Sequence, residues 1–184
     1  MIKFENVSFG YDDKKIVENF SIEIPSGDRV CFFGKSGCGK STLLRLIMGL
    51  ETPNGGSVEK LSDNISAVFQ EDRLLPFKTV LENITMFAPC DRAKEILARL
   101  SMTDAQNLYP SELSGGMARR AAIARALAAE SDIYIFDEPF NGLDRENIAD
   151  AALLINEYTK GKTLVLVTHE KELANALGCR IIEL

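Results

Sequence analysis

Gly34-Lys35-Ser36-Gly37-Cys38-Gly39-Lys40-Ser41-Thr42 fits the pattern G-x-x-x-x-G-K-[ST], in which a glycine-rich loop cradles phosphates. A triphosphate needs several backbone N–H donors pointing into one concavity, and glycine lets a chain curl that tightly. Lys40 brings a point charge to the β- and γ-phosphates, and the Ser41 hydroxyl suits Mg²⁺. The surroundings support this reading. Arg29-Val30-Cys31-Phe32-Phe33 reads as a short buried strand feeding the loop, and Leu43 to Met48 as the helix leaving it. A helix starting near Gly39 adds unpaired N–H groups and the positive end of its dipole. The loop is expected to bind a nucleotide, and strand, loop and helix together open an α/β fold.

Outward from the loop, residues 1–9 and 16–24 alternate roughly in polarity around Gly10-Tyr11-Asp12-Asp13, which predicts an antiparallel pair. Thr52-Pro53-Asn54-Gly55-Gly56 is a turn cluster, with short strands expected at 57–60 and 65–69. From about 71 to 130 the pattern is helical, with candidates near 79–87, 91–101 and 115–129. Strand 132–136, helix 145–160, strand 163–168, a short helix near 170–176 and strand 179–183 complete the chain. Alternating strands and helices at both ends predict an α/β core with a parallel sheet. The central block, about 71–130, reads as a helical subdomain inserted into a single domain of residues 1–184.

Ile133-Tyr134-Ile135-Phe136-Asp137-Glu138 is an apolar strand ending in two carboxylates. Ligands of open α/β sheets sit beyond the carboxyl ends of the strands, which puts this pair beside the phosphate loop. Asp137 is then placed to hold Mg²⁺ opposite Ser41, and Glu138 to orient or deprotonate an attacking water. A solvated acidic turn is the plainer alternative; the phosphate loop tips the balance against it. Thr163 to Thr168 is a second buried strand, and it leads to His169, the only histidine, within reach of a γ-phosphate or attacking water. Leu113-Ser114-Gly115-Gly116-Met117 precedes a helix. Ser114 is a good N-cap there, and the glycines leave the first N–H groups open to an anion. Met117, Ala121, Ala124 and Ala128 mark one packed face of that helix, so an ordinary capped helix fits these residues too.

A length of 184 residues suits one domain with a substantial core. The formal charge of −6 weighs against a general nucleic-acid binder. No apolar run approaches a membrane span and the first residues are not a signal peptide, so any membrane link is expected to run through a partner. Cys31, Cys38, Cys90 and Cys179 show neither zinc nor disulfide spacing, and free thiols suit a reducing cytosol. Cys31 and Cys179 fall in expected strands as small buried hydrophobes.

Taken in order, Gly34–Thr42, Gln70, Leu113–Met117, Ile133–Glu138 and His169 resemble the ATP-binding subunit of ABC transporters over nearly the whole chain. The resemblance implies a P-loop NTPase core with a mostly parallel sheet, an N-terminal antiparallel β subdomain and an inserted helical subdomain. It makes Gly34–Thr42 Walker A, with Gly34, Ser36, Gly37, Cys38, Gly39, Lys40, Ser41 and Thr42 on ATP, and Tyr11 the aromatic that stacks on adenine. Gln70 becomes the Q-loop residue that senses Mg²⁺ and contacts the permease. Ser114, Gly115 and Gly116 form the signature that closes over the γ-phosphate held by a second subunit. Asp137 is implied as the Walker B metal residue beside Ser41 and Gln70, Glu138 as the catalytic base, and His169 as the switch histidine. Asn141-Gly142-Leu143-Asp144 matches the D-loop, although Asp144 also serves as a plain N-cap.

Implied with these are ATP and Mg²⁺ as cofactors, a homodimer formed on ATP binding, and two transmembrane permease subunits. A solute-binding protein acts indirectly, no nucleic acid is a partner, and the chain lies in the cytoplasm on the inner face of the cell membrane. Three departures stand out. Met117 replaces the usual Gln, Asn141-Gly142 replaces the commoner Ser-Ala, and the chain is short, with no regulatory domain expected after Leu184. Val68 to Pro76 and Thr79 to Ile84 look like bacterial importers of the nitrate, sulfonate and taurine types. Leu74, Leu75 and Phe77 either line a groove for a permease helix or anchor their loop to the protein's own core. The runner-up is a soluble ABC ATPase acting on nucleic acid or ribosomes, but no tandem domain, coiled-coil insertion or basic arm is visible. A non-hydrolysing regulator is disfavoured by Asp137, Glu138 and His169.

Overall fold

The computed structural model describes residues 1–12 and 14–184, and they divide into two compact units. The first comprises Met1–Ile65, Asp132–Asp137 and Gly161–Leu184; the second comprises Ser66–Ser131 and Glu138–Lys160. Asp13, in the expected first turn, lies outside the described residues.

The first unit opens with β1 (Ile2–Tyr11) and β2 (Lys14–Ile24), which pair antiparallel, and β4 (Gly55–Lys60) joins the other side of β1. Their alternation is imperfect for a structural reason. Ile2, Phe4, Val7 and Phe9 are all buried, which an unbroken two-residue period does not allow. A register shift between Phe4 and Val7, with Asn6 at φ 49°, inserts the extra residue and returns the apolar side chains to one face. The strands also run longer than the alternation predicts. Gly55 belongs to β4 rather than to the turn, because it pairs with Ser8 and the preceding Asn54 N–H already donates to the Ser8 carbonyl.

The second sheet has the order β5-β6-β7-β3-β8, from β5 (Ile65–Val68), β6 (Ile133–Asp137), β7 (Thr163–Val167), β3 (Arg29–Phe33) and β8 (Arg180–Glu183). The pairs β6–β7, β7–β3 and β3–β8 are parallel. Every residue of β6 and β7 is buried, as continuous apolar runs in parallel sheets require. Phe20 of β2 lies edge-on to Phe4 and to Phe32, at 5.5 and 6.2 Å, and so joins the two sheets by aromatic contact. Helix α1 (Lys40–Met48) buries Leu43, Leu44, Leu46 and Ile47 and ends at Gly49, whose N–H takes the Arg45 and Leu46 carbonyls. Burial pushes the Cys179 thiol up to about 12 and leaves Cys31 fully covered, so both are inert packing residues. A short helix α6 (Lys171–Ala176) precedes β8.

The second unit is helical: α2 (Val80–Thr85), α3 (Cys90–Arg99), α4 (Gly115–Ala128) and α5 (Arg145–Tyr158). Two 3₁₀ turns, Thr103–Ala105 and Pro110–Glu112, went unanticipated in the sequence. Thr79 and Glu82 cap α2 reciprocally, Ser114 caps α4, and Asp144 caps α5 through the Asn147 N–H at 2.9 Å. That bond is the main reason the Asp144 carboxyl sits below the ordinary carboxylate range. The packed face expected for α4 is present, with Ala121, Ala124 and Ala128 buried and Met117 half-buried, but burial extends beyond it. Besides Ala121, Ala124 and Ala128, the helix buries Arg119, Ala122, Ile123, Ala126 and Leu127, so it is covered nearly all round. Among the described residues no helix is long and apolar enough to cross a membrane.

Candidate functional site

Parallel pairing fixes the geometry of the first unit's site. Asp137 pairs with Val167, and Val167 with Phe32, so these three residues lie abreast across β6, β7 and β3. At about 4.8 Å per strand, Asp137 stands roughly 10 Å across the sheet from Phe32. Gly34 follows Phe32 by two residues, and His169 follows Val167 by two. The glycine loop, Asp137 and His169 therefore leave the same edge of the sheet. Gly34–Thr42, Asp137, His169 and Tyr11 all belong to the first unit, whereas Gln70, Ser114–Gly116 and Glu138 belong to the second. Glu138 follows Asp137 directly in the chain.

The loop is built to receive an anion. Gly39 caps α1 at φ 101°, a conformation that L side chains rarely adopt, and it offers no side-chain acceptor to the helix. The first turn of α1 contains no acidic residue. The missing side-chain cap sets α1 apart from α2, α4 and α5, each capped by its own hydroxyl or carboxylate. The N–H groups and positive dipole end of α1 are thus left for a ligand. The Lys40 ammonium folds back across the loop, donating to the Gly34 carbonyl at 2.8 Å and the Lys35 carbonyl at 2.9 Å. It has only to exchange carbonyl oxygens for phosphate oxygens. Ser41 is exposed in the same turn.

Tyr11 ends β1 with its ring partly exposed and edge-on to Phe9 at 4.9 Å. Its hydroxyl donates to Glu51 at 2.9 Å and accepts from Arg45 at 3.2 Å, so a flat aromatic face is held in one orientation. Asp137 is buried at the end of β6, and His169 is exposed with Nε2 3.8 Å from a Glu170 carboxylate oxygen. Among the described residues no three His, Cys, Asp or Glu side chains cluster as a metal site. One hydroxyl and one carboxylate match Mg²⁺, which takes few protein ligands and completes its shell with phosphates and water.

In the second unit, Glu138 has φ 50°, a left-handed conformation that is uncommon for a non-glycine residue and marks a strained point. The Ser114 hydroxyl accepts from the Met117 N–H at 3.2 Å, and Ser114 and Gly115 are exposed. Gly115 and Gly116 are not equivalent. A side chain at Gly115 meets open space, but one at Gly116 comes within 3.1 Å of the Gly142 carbonyl. Gly142 itself has φ 79°, which accounts for glycine at this place in Asn141–Asp144. The start of α4 thus abuts the segment that leads into α5, a contact the sequence did not disclose. Phe77 is 91% exposed, so it does not anchor its loop to the core. The anchor is Asn83, fully buried, whose amide takes the Leu75, Lys78 and Thr79 carbonyls and the Leu75 N–H.

Comparison with known proteins identifies the family. The family model described as "ABC transporter" matches residues 17–141. The arginine transport ATP-binding protein ArtM of Bacillus subtilis is 38% identical over 99% of this chain and 86% of its own length. The aliphatic sulfonates import ATP-binding protein SsuB 2 of Agrobacterium fabrum is 39% identical over 94% of this chain and 71% of its own. Among solved structures, the dimeric bacterial ABC transporter cassette MJ0796 superposes with a TM-score of 0.89 at 32% identity, covering 100% of this chain and 94% of that one. The same cassette bound to ADP and Pi, in a post-hydrolysis state, gives 0.88 over the same spans. The chain belongs to the ABC transporter family and is one of its ATPase cassettes.

Proposed function

We propose that this cassette powers solute import by closing as an ATP-bound homodimer beneath two membrane-embedded permease subunits. The observation that carries the reading is the row Asp137–Val167–Phe32, which brings the carboxylate, the histidine and the glycine loop to one sheet edge. ATP lies with its phosphates on the Gly34–Thr42 loop and its adenine on Tyr11. The signature Ser114–Gly116 of a second copy covers the γ-phosphate. Glu138 takes the proton of the attacking water, His169 holds the γ-phosphate side, and Lys40 and the backbone N–H groups stabilise the charge that develops. Ser41, Asp137 and Gln70 would hold Mg²⁺, which neutralises charge on the β- and γ-phosphates.

Support for a permease partner comes from the Leu75–Phe77 loop. An aromatic side chain almost wholly in solvent, on a loop stapled by a buried Asn83, is a stiff apolar projection suited to a groove contact. In cells carrying the permease, Phe77→Glu is expected to fold with an unchanged melting temperature and to lose most of its co-sedimentation with membranes. Undiminished co-sedimentation would sink the docking assignment. The relatives named for sulfonate and for arginine transport share the ATP machinery, and the solute is proposed to be chosen by the partner chains.

The departure at Met117 yields a further expectation. Its N–H caps onto Ser114 whatever the side chain, and Met and Gln are alike in size and helix propensity. Met117→Gln in the assembled transporter is expected to leave ATPase activity unchanged or raise it; a large loss would show that Met117 makes a contact of its own.

A further inference from the structure

Helix α4 does more than present the signature. Arg119, only 6% exposed, donates through Nη1 to the Phe69 carbonyl at 2.7 Å and through Nη2 to the Gln70 carbonyl. Its Nε lies 3.2 Å from Asp72 Oδ1, an ion pair without hydrogen-bond alignment. Arg125, further along the helix, donates to the Arg73 carbonyl at 2.7 Å and the Asp72 carbonyl at 3.1 Å. Four of the five carbonyls between residues 69 and 73 are therefore held by two guanidinium forks from one helix. The segment is also closed on itself: Arg73 has φ 46°, and its guanidinium lies over the Phe69 ring at 4.0 Å. Arg119 is buried, and Asp72 and Arg125 are partly shielded from water. Burial pushes the Asp72 carboxyl up against the pull of Arg119 and Arg125, and pushes Arg125 down. Charge-assisted, forked hydrogen bonds in such a setting are stronger and more directional than neutral ones.

We propose that Arg119 is a positioning residue that ties the Gln70 segment to the signature end of α4, so that Gln70 and Ser114–Gly116 move as one body when the ATP site closes. The inference rests on the roles proposed above for Gln70 and the signature. The tie lies wholly within the second unit, so it acts on what those residues do to bound nucleotide and not on how tightly nucleotide first binds to the glycine loop. Lysine does not replace it, because a single ammonium lacks the planar fork that spans two carbonyls and a carboxylate.

The test uses the purified chain and reads both exchange and turnover. In Arg119→Gln, amide hydrogen exchange in residues 69–73 is expected to accelerate roughly tenfold or more, with residues 34–42 unchanged. The kcat for ATP is expected to fall by about tenfold at unchanged KM, and that loss to vanish in a Gln70→Ala background, because coupled residues are not additive. Arg119→Lys is expected to restore less than half of the lost kcat. If Arg119→Gln fails to fold for want of a partner for Asp72, Arg119→Gln with Asp72→Asn removes both charges and carries the same measurements. Unchanged exchange at 69–73, or a kcat loss that multiplies in full onto that of Gln70→Ala, overturns the proposal. Should Gln70→Ala itself leave hydrolysis untouched, the role of Gln70 falls, and with it the catalytic half of the inference. The exchange result still decides whether the tie exists.

Discussion

Lys40→Ala is expected to lower ATP affinity by about a hundredfold or more, roughly 3 kcal/mol at tenfold per 1.4 kcal/mol. The size follows from what the ammonium does in the loop. It sits over the Gly34 and Lys35 carbonyls at 2.8 and 2.9 Å, inside the curl of backbone that would surround the phosphates. Charge-assisted contacts to phosphate are about twice as strong as neutral ones, and a compact ammonium serves several oxygens at once. Removing it also takes a donor from the Gly34 carbonyl, while the Lys35 carbonyl keeps the Cys38 N–H at 3.3 Å. Some loosening of residues 34–40 is therefore expected, worth about 1 kcal/mol because the Gly34 carbonyl is only partly buried. The α1 N-terminus remains, uncapped and free of acidic residues, so weak binding of inorganic phosphate or ADP survives. Isothermal calorimetry with ATP measures the effect, and an unchanged dissociation constant would refute the reading of this loop.

The loop was legible because its chemistry demands a fixed spacing of glycine, lysine and hydroxyl, which no packing requirement imitates. The strands and helices were legible for similar reasons. Val30–Phe32, Ile133–Phe136 and Leu164–Val167 are buried on both sides and so carry unbroken apolar runs. Thr79, Ser114 and Asp144 announce helix starts by residue type. Three things were hidden. The bulge at Asn6 changes the period of β1 within the strand, and alternation by itself reads it as noise. Helix α4 buries consecutive residues, Ala121–Ala124 and Ala126–Ala128, so its extra covered positions follow no amphipathic period. Arg119 is hidden for a different reason: arginine predicts a solvated face, and its burial makes sense only through distant carbonyls at Phe69 and Gln70. Such partners, about fifty residues away in sequence, have no local signature.

Glu138→Gln is expected to bind ATP as the native chain does, to lose turnover by at least about a hundredfold, and to accumulate as an ATP-dependent dimer. A positioned general base contributes on the order of 10²–10⁴ in rate, and glutamine keeps the shape but not the basicity. Position in the chain sets the two carboxylates in different surroundings, in keeping with the different tasks proposed for them. Asp137 ends β6 in register with Val167 and is buried, whereas Glu138 is the first residue beyond the strand and turns left-handed at φ 50°. A strand continuing straight would alternate the two side chains to opposite faces; the left-handed step instead turns the chain out of the sheet at this residue. Such a conformation costs of order 1 kcal/mol or more for a non-glycine residue, and strain of this kind collects at functional sites. Glu138→Gly is the companion variant. It relieves the conformational strain and removes the base, so it is expected to melt no lower than the native chain and to be equally inactive. Gel filtration with and without ATP reads the dimer, and a coupled phosphate-release assay reads turnover. A Glu138→Gln chain that stays monomeric with bound ATP argues against closure of two cassettes over the nucleotide. One that still hydrolyses ATP at the native rate removes Glu138 from the chemistry altogether.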